Sequence, residues 1–154
     1  QLNLVDLKFI SESDHIEFSK RSKVGRDDIL FAMIGSIGNP VIVDTDLEFS
    51  FKNMALFKYF SRELASPQYL KIFLSVISAE MKAKAAGGVQ AFVALGTIRN
   101  QPIALPPLAE QHRIAAKVCE LMTICDHLMA DIASASQHQA TLADTLIESA
   151  LDAA

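Results

Sequence analysis

The sequence predicts an α+β protein: a small, strand-rich mixed domain followed by one long C-terminal helix that pairs in a coiled coil. Three observations predict it. The first hundred or so residues hold short apolar or alternating runs separated by Gly, Pro and Asn, which is how strands and their connections read. After Pro107 there is no Gly or Pro, and a heptad repeat begins. The charge changes at the same place. Residues 1–105 carry 12 Lys and Arg against 11 Asp and Glu, whereas residues 106–154 carry 2 against 7. A boundary at Pro106-Pro107 therefore divides the chain into a domain over 1–105 and a helix over 106–154.

The elements follow in order. Val5-Asp6-Leu7-Lys8-Phe9 alternates apolar and polar, the period of a half-buried strand. Ile29 to Ile34 is an unbroken apolar run, fit for a strand covered on both faces. Gly35-Ser36-Ile37-Gly38-Asn39 supplies a turn, with glycine where positive φ is needed, and Pro40 to Val43 returns as its partner strand. Phe49 to Phe60 is aromatic and alternating and reads as one or two more strands. Ser66 is an N-cap and Pro67 a first helical residue, since the hydroxyl accepts an orphan amide and proline lacks one. Leu70, Phe73, Ile77 and Met81 then make one helical stripe, which Gly87-Gly88 ends. Val89–Leu95 and Pro102–Leu105 read as two further short strands.

From Ile114 the apolar positions step by four and three alternately. Ile114, Leu121, Leu128, Ala135 and Leu142 occupy one seam position, and Val118, Cys125, Ile132, Gln139 and Leu146 the other. A helix of roughly 45 residues is about 65 Å long. Its narrow seam requires a partner helix or leaves an apolar stripe in water. The chain has no second long helical segment, so the partner comes from elsewhere. Ala135 and Gln139 weaken the middle of the seam.

The composition is that of a folded chain, with 51% hydrophobic and 21% charged residues. No apolar run reaches the roughly 18 residues of a membrane span. Two cysteines, Cys119 and Cys125, make no disulfide framework, which points to a reducing, cytoplasmic setting. His15, His112, His127 and His138 are scattered, and neither CxxC nor HExxH occurs, so no metal site is expected. Asp44, Asp46 and Glu48 lack the Gly and the closing Glu of a calcium loop. With no nucleophile beside a base, the pattern is that of a binding module rather than an enzyme.

Basic residues cluster twice. Lys20, Arg21, Lys23 and Arg26 fall within seven residues. Lys82 and Lys84 close the short helix, followed by Gln90 and then Arg99. Lys and Arg can neutralise phosphates, and Gln or Arg can read base edges. The same pattern also serves a solvated helix end, where the dipole favours cations.

Gln90-Ala91-Phe92-Val93-Ala94-Leu95 followed by Pro102-Ile103-Ala104-Leu105-Pro106-Pro107-Leu108-Ala109-Glu110-Gln111-His112-Arg113-Ile114 resembles the specificity subunit of type I restriction–modification systems. Leu121 to Leu128 is similar to that family's continuation of the helix, and Asp28-Ile29-Leu30-Phe31 to its Gly-Asp-Ile-Leu-Phe strand, with Asp27 in place of the glycine. The resemblance covers about residues 25–150. It implies a target recognition domain over 1–105 that reads one half of a split target in double-stranded DNA, and a spacer helix over 106–154. The helix is expected to dock the modification subunits, which carry the methyltransferase site and its S-adenosylmethionine, and the restriction subunits join that complex. This chain has material for about one recognition domain and one helix, so a half subunit or a fragment is expected. On this footing Lys20, Arg21, Lys23, Lys82, Lys84, Gln90 and Arg99 are the expected DNA contacts. Ile114, Val118, Leu121, Cys125, Leu128, Ile132, Leu142 and Leu146 are the expected helix interface, joining two copies of the chain in an antiparallel coiled coil, as the resemblance implies for such helices. The alternative is a coiled-coil scaffold that dimerises through the same heptads and has no DNA role.

Overall fold

A computed structural model describes residues 7–85 and 92–152, with side chains up to Ala83 in the first stretch. The order of elements is α1 (Glu12–Ser22), β1 (Ile29–Ala32), β2 (Gly38–Ile42), β3 (Met54–Phe57), α2 (Pro67–Ala85), α3 (Leu95–Arg99) and α4 (Leu108–Asp152). The chain divides into two compact units, residues 1–115 and 116–154. The architecture is α+β: an antiparallel three-stranded sheet with short helices, then one long helix.

β1 is the middle strand of the order β2-β1-β3 and pairs antiparallel with both neighbours. Its unbroken apolar run is covered on both faces as expected: Ile29, Leu30 and Phe31 are all at most 2% exposed. Phe31 meets Phe57 of β3 edge-on, with ring centroids 6.1 Å apart. The expected turn and return strand form β2. The β1–β2 register slips between Leu30 and Ala32, opposite Asn39 and Pro40, whose missing N–H suits an edge strand and an irregular ladder. Phe49–Phe60 yields one strand, β3.

α2 begins where the sequence places it. Leu70 N–H donates to the Ser66 carbonyl at 3.0 Å, and Tyr69 N–H lies 3.5 Å from Ser66 Oγ. Leu74 and Met81 are buried, with Leu70, Phe73 and Ile77 packed partly against the same core. The buried Ser78 on this face donates its hydroxyl to the Leu74 carbonyl. Ser78 sits under Gly38, whose φ is 95° and whose added Cβ would lie 2.5 Å from Ser78 Oγ. Glycine is therefore required there twice, for conformation and for the close approach of α2 to β2.

Three expectations fail. Of the expected Val5–Phe9 strand, residues 5–6 lie outside the described residues, and Leu7 to Phe9 is no strand, because nothing among the described residues pairs with it; Phe9 is 94% exposed. Within Val89–Leu95, residues 89–91 lie outside the described residues. Phe92 makes one bridge to Ile34, and from Leu95 the chain turns into α3. Thr97 and Ile98 amides both donate to the Ala94 carbonyl, so local bonds replace strand pairing and carry Ile98 into the core. Pro102–Leu105 has no regular structure. Pro102 lacks an amide proton, and the Ala104 carbonyl accepts the Tyr69 hydroxyl at 2.5 Å instead of a strand neighbour. The Gly87-Gly88 stop falls outside the described residues.

The heptad segment forms α4, 45 residues without interruption. Its first turns belong to the first unit, where Gln111 and Ala115 are buried. From Cys119 to Asp152 every residue is exposed.

Candidate nucleic-acid interface

The frame beneath the basic residues is set by Asp27-Asp28. Asp28 is 2% exposed, and its carboxylate is fully used. Oδ2 accepts from Gly25 N–H at 2.7 Å and from Lys58 Nζ at 2.6 Å, and Oδ1 accepts from Tyr59 N–H at 2.9 Å. One side chain thus closes the turn before β1 and ties it to the end of β3. Lys58 also donates to the Lys23 carbonyl at 3.0 Å, which anchors the end of α1. Asp27 has φ 70°. This is the left-handed region, where glycine has no steric cost. Aspartate is held there by Arg62, 2.5 Å from Oδ2, and by its own N–H, which donates to the Val43 carbonyl at 2.9 Å.

α1 carries two of the expected DNA contacts, Lys20 and Arg21, with Lys23 as its C-cap, and the sequence reading does not anticipate it as a helix. Its signals are nevertheless local: Ser11 Oγ accepts from Asp14 N–H at 3.1 Å, acids occupy the first turn, and Lys20 and Arg21 the last. No residue of α1 is buried. Its attachment is polar. His15 Nδ1 is 2.9 Å from Ser50 Oγ, and Nε2 is 3.7 Å from Glu48. Lys23 reaches Glu48 at 3.4 Å. Lys20 and Lys23 border a hollow shared with His15 and Glu48.

Arg21 and Arg99 border a different hollow, lined along β3 by residues from Met54 to Lys58 and roofed by Leu95 and Ile98. Lys82 is elsewhere. Its Cε lies 3.7 Å from where a Gly38 Cβ would be, so it sits beside β2, the opposite edge of the sheet. Arg21 and Arg99 thus line one hollow and Lys20 and Lys23 another, while Lys82 lines neither. The Lys84 side chain and the whole of Gln90 lie outside the described residues. Arg26, the remaining member of the first cluster, grips Asp46 with two bonds of 2.6 and 2.9 Å. That contact raises the Arg26 pKa and holds the Asp46 carboxyl below its ordinary range. Burial pushes the Tyr59 phenol above its usual value, and its hydroxyl donates to the Ala65 carbonyl.

The junction to α4 is built by Gln111, which is fully buried. Its Oε1 accepts from Ser66 N–H at 2.8 Å, and its Nε2 donates to the Leu64 and Pro106 carbonyls at 2.9 and 2.8 Å. The three bonds satisfy the Ser66 amide at the start of α2 and the carbonyls of Leu64 and Pro106, in the segments leading into α2 and α4. The neighbouring Glu110 pairs with Arg113 at 2.6 Å, and the hydrogen bond holds its carboxyl below the ordinary range. Sequence reasoning missed the roles of Asp28 and Gln111. The only signal was their placement, a lone acid abutting an apolar run and a glutamine just inside a helix start.

Of the expected interface residues, Ile114 and Val118 are half-buried. Leu121, Cys125, Leu128, Ile132, Leu142 and Leu146 are exposed, from 49% at Leu121 to 70% at Leu146. Among the described residues no group of three His, Cys, Asp or Glu could hold a metal ion, and no helix is long and apolar enough to cross a membrane.

A family model described as the type I restriction modification DNA specificity domain matches residues 5–134. Over 152 residues, 97% of the chain, the sequence is 25% identical to the type I restriction enzyme EcoBI specificity subunit of Escherichia coli. Over 55 residues it is 40% identical to the EcoEI specificity subunit of the same organism. The chain covers 32% of the first relative and 9% of the second, so it spans about a third or less of their lengths.

Proposed function

The chain belongs to the type I restriction modification DNA specificity domain family, and from that premise we propose that it is a non-catalytic DNA-specificity subunit, or part of one. In this role it reads one half of a bipartite target and docks the modification subunits, which hold S-adenosylmethionine, with the restriction subunits joining them. Residues 1–105 are the recognition domain and residues 106–154 the spacer and assembly helix. The observation that carries the proposal is the extent of the family match, which runs over residues 5–134, from the sheet unit well into α4. The Gln111 hydrogen bonds support it, because they tie the first turn of α4 to the Ser66 amide and the Leu64 and Pro106 carbonyls within the first unit.

The proposed DNA contacts are Lys20, Arg21, Lys23, Lys82, Lys84, Gln90 and Arg99. Phosphate neutralisation by such side chains gives affinity, and bidentate contacts give sequence preference. The exposed seam of α4 supports pairing with a second helix. Two copies joined antiparallel would set two recognition domains apart, as a split target requires, whereas a parallel pair would place them together. Sedimentation at tens of micromolar should give a dimer; a monomer with the helix intact rejects the pairing.

The deciding experiment expresses the natural polypeptide containing these residues with the modification subunit encoded beside it, and maps N6-methyladenine across the host DNA. Methylation at a split motif is expected. Its loss on charge reversal of Lys20, Arg21 and Lys23 would place a contact surface there, and its survival would reject that surface alone. No complex and no methylation, with both proteins soluble, would favour the scaffold alternative.

A further inference from the structure

The five arginines of the chain fall into two groups. Arg26, Arg62 and Arg113 are each held by a carboxylate, of Asp46, Asp27 and Glu110 respectively, at 2.5 to 2.6 Å. Arg21 and Arg99 have no such partner among the described residues, and these two border one hollow. They come from helix ends 78 positions apart in sequence. The helix dipole accounts for a cation at the last turn of each helix. It does not account for two separate helix ends bordering one hollow with neither guanidinium paired to a carboxylate among the described residues.

The volume of the hollow is about 430 Å³, toward the small end of clefts that bury a ligand. Met33, Phe51 and Met54 give it an apolar floor, and Lys58, the other cation on its rim, is already committed to Asp28 and the Lys23 carbonyl. A site with an apolar floor and two uncommitted planar cations calls for a group that is anionic at one end and apolar at the other. Guanidinium matches a phosphate geometrically as well as electrostatically, since its fork donates to two oxygens at once.

We propose that this hollow on the β3 side is a phosphate clamp, in which Arg21 and Arg99 hold one phosphodiester of the DNA backbone and the apolar floor receives the attached deoxyribose. The clamp presupposes the DNA role proposed above. It makes Arg21 and Arg99 anchors of position rather than readers of sequence. It also sets this contact along β3 and α3, so that Lys82, beside the β2 edge, would meet a different stretch of the backbone.

The test uses the complex of the full chain with its modification subunit and two duplexes of equal length, one carrying the mapped split motif and one scrambled. Affinity for each is measured across a potassium chloride series. For a clamp, Arg21→Ala and Arg99→Ala weaken binding to both duplexes by the same factor, and each lowers the salt slope of log K by about one. Arg26→Ala, whose guanidinium is already taken by Asp46, leaves both quantities unchanged. Arg21→Lys and Arg99→Lys retain the slope and lose part of the affinity, because charge remains and the fork is gone. Unchanged affinity and slope in both alanine variants overturn the clamp. A loss confined to the motif duplex also overturns it, making the pair base readers. Release of the modification subunit by either variant, with duplex binding otherwise intact, assigns the hollow to a protein segment instead. A wild-type complex with no salt-dependent duplex binding overturns the DNA role itself, which is a different failure from the others.

Discussion

Residues 7–115 and residues 116–152 handle their apolar side chains in opposite ways. In the first unit a short sheet, α2 and α3 close over Ile29, Phe31, Ile37, Leu74, Met81 and Ile98, and Asp28 and Gln111, though buried, have every polar contact supplied from within. In the second unit the helix is complete in its own backbone bonds, yet Leu121, Leu128, Leu142 and Leu146 stand in water. The contrast separates two sources of order. A sheet exists only through its neighbours, so the first unit must collapse to form at all. A helix bonds within itself, so the second can be regular with its apolar face still uncovered. One unit covers a core from within, and the other leaves its apolar seam exposed.

The contrast can be broken at several points. The largest effect is expected at Phe31, which is fully buried against Phe57. Phe31→Ala should cost about 3–5 kcal/mol in chemical unfolding of the sheet unit. Equal stability in the variant would mean the core is not where the packing puts it. Next is Leu128→Asp in α4. An unpaired carboxylate in a helix seam should cost at least about 3 kcal/mol, on the order of a hundredfold in self-association. Sedimentation should show the loss while the melting of the sheet unit stays put; a shift of that melting would mean the two units are not independent.

Gln111→Ala bears on the junction between them. It leaves the Ser66 amide and the Leu64 and Pro106 carbonyls without their partner, so a loss of about 2–3 kcal/mol is expected. Hydrogen exchange at the Ser66 amide should rise in step, and protection that persists would show that another acceptor replaces the glutamine. The smallest effect is at Asp27. Asp27→Gly removes the cost of a left-handed aspartate, about 1 kcal/mol, but also its pairing with the exposed Arg62 and some rigidity of the unfolded chain. The net change should stay within about 1 kcal/mol in either direction. A large loss would make the Asp27–Arg62 pair a structural contact rather than a surface one.

What could be read from the sequence followed the range of the forces involved. The α4 helix was legible almost to the residue, because its heptads and the absence of Gly and Pro after Pro107 act over one or two turns. β1 was legible because an unbroken run from Ile29 has one economical place, the middle of a sheet. Ser66 and Pro67 marked the start of α2 through local capping chemistry, and Gly35 and Gly38 marked a turn. The basic residues were legible as a list, but the list said nothing of which ones meet.

The tertiary structure decided the rest, and the reason is the same each time: the partner is far away in sequence. The segment Leu7–Phe9 alternates like a strand, but alternation cannot supply a neighbour. Val93 and Leu95 looked like one strand until the amides of Thr97 and Ile98 turned back on Ala94 and drew Ile98 into the core. Asp28 is bound by Lys58 and Tyr59, some thirty residues on, and Gln111 by Ser66, 45 residues back. Arg21 and Arg99 belong to one hollow only because β3 and α3 fold beside the end of α1. Periodicity and capping are local and show in the residues themselves. A buried polar bond, or two cations meeting across a hollow, is fixed by loop closure over tens of residues, and only the folded chain displays it.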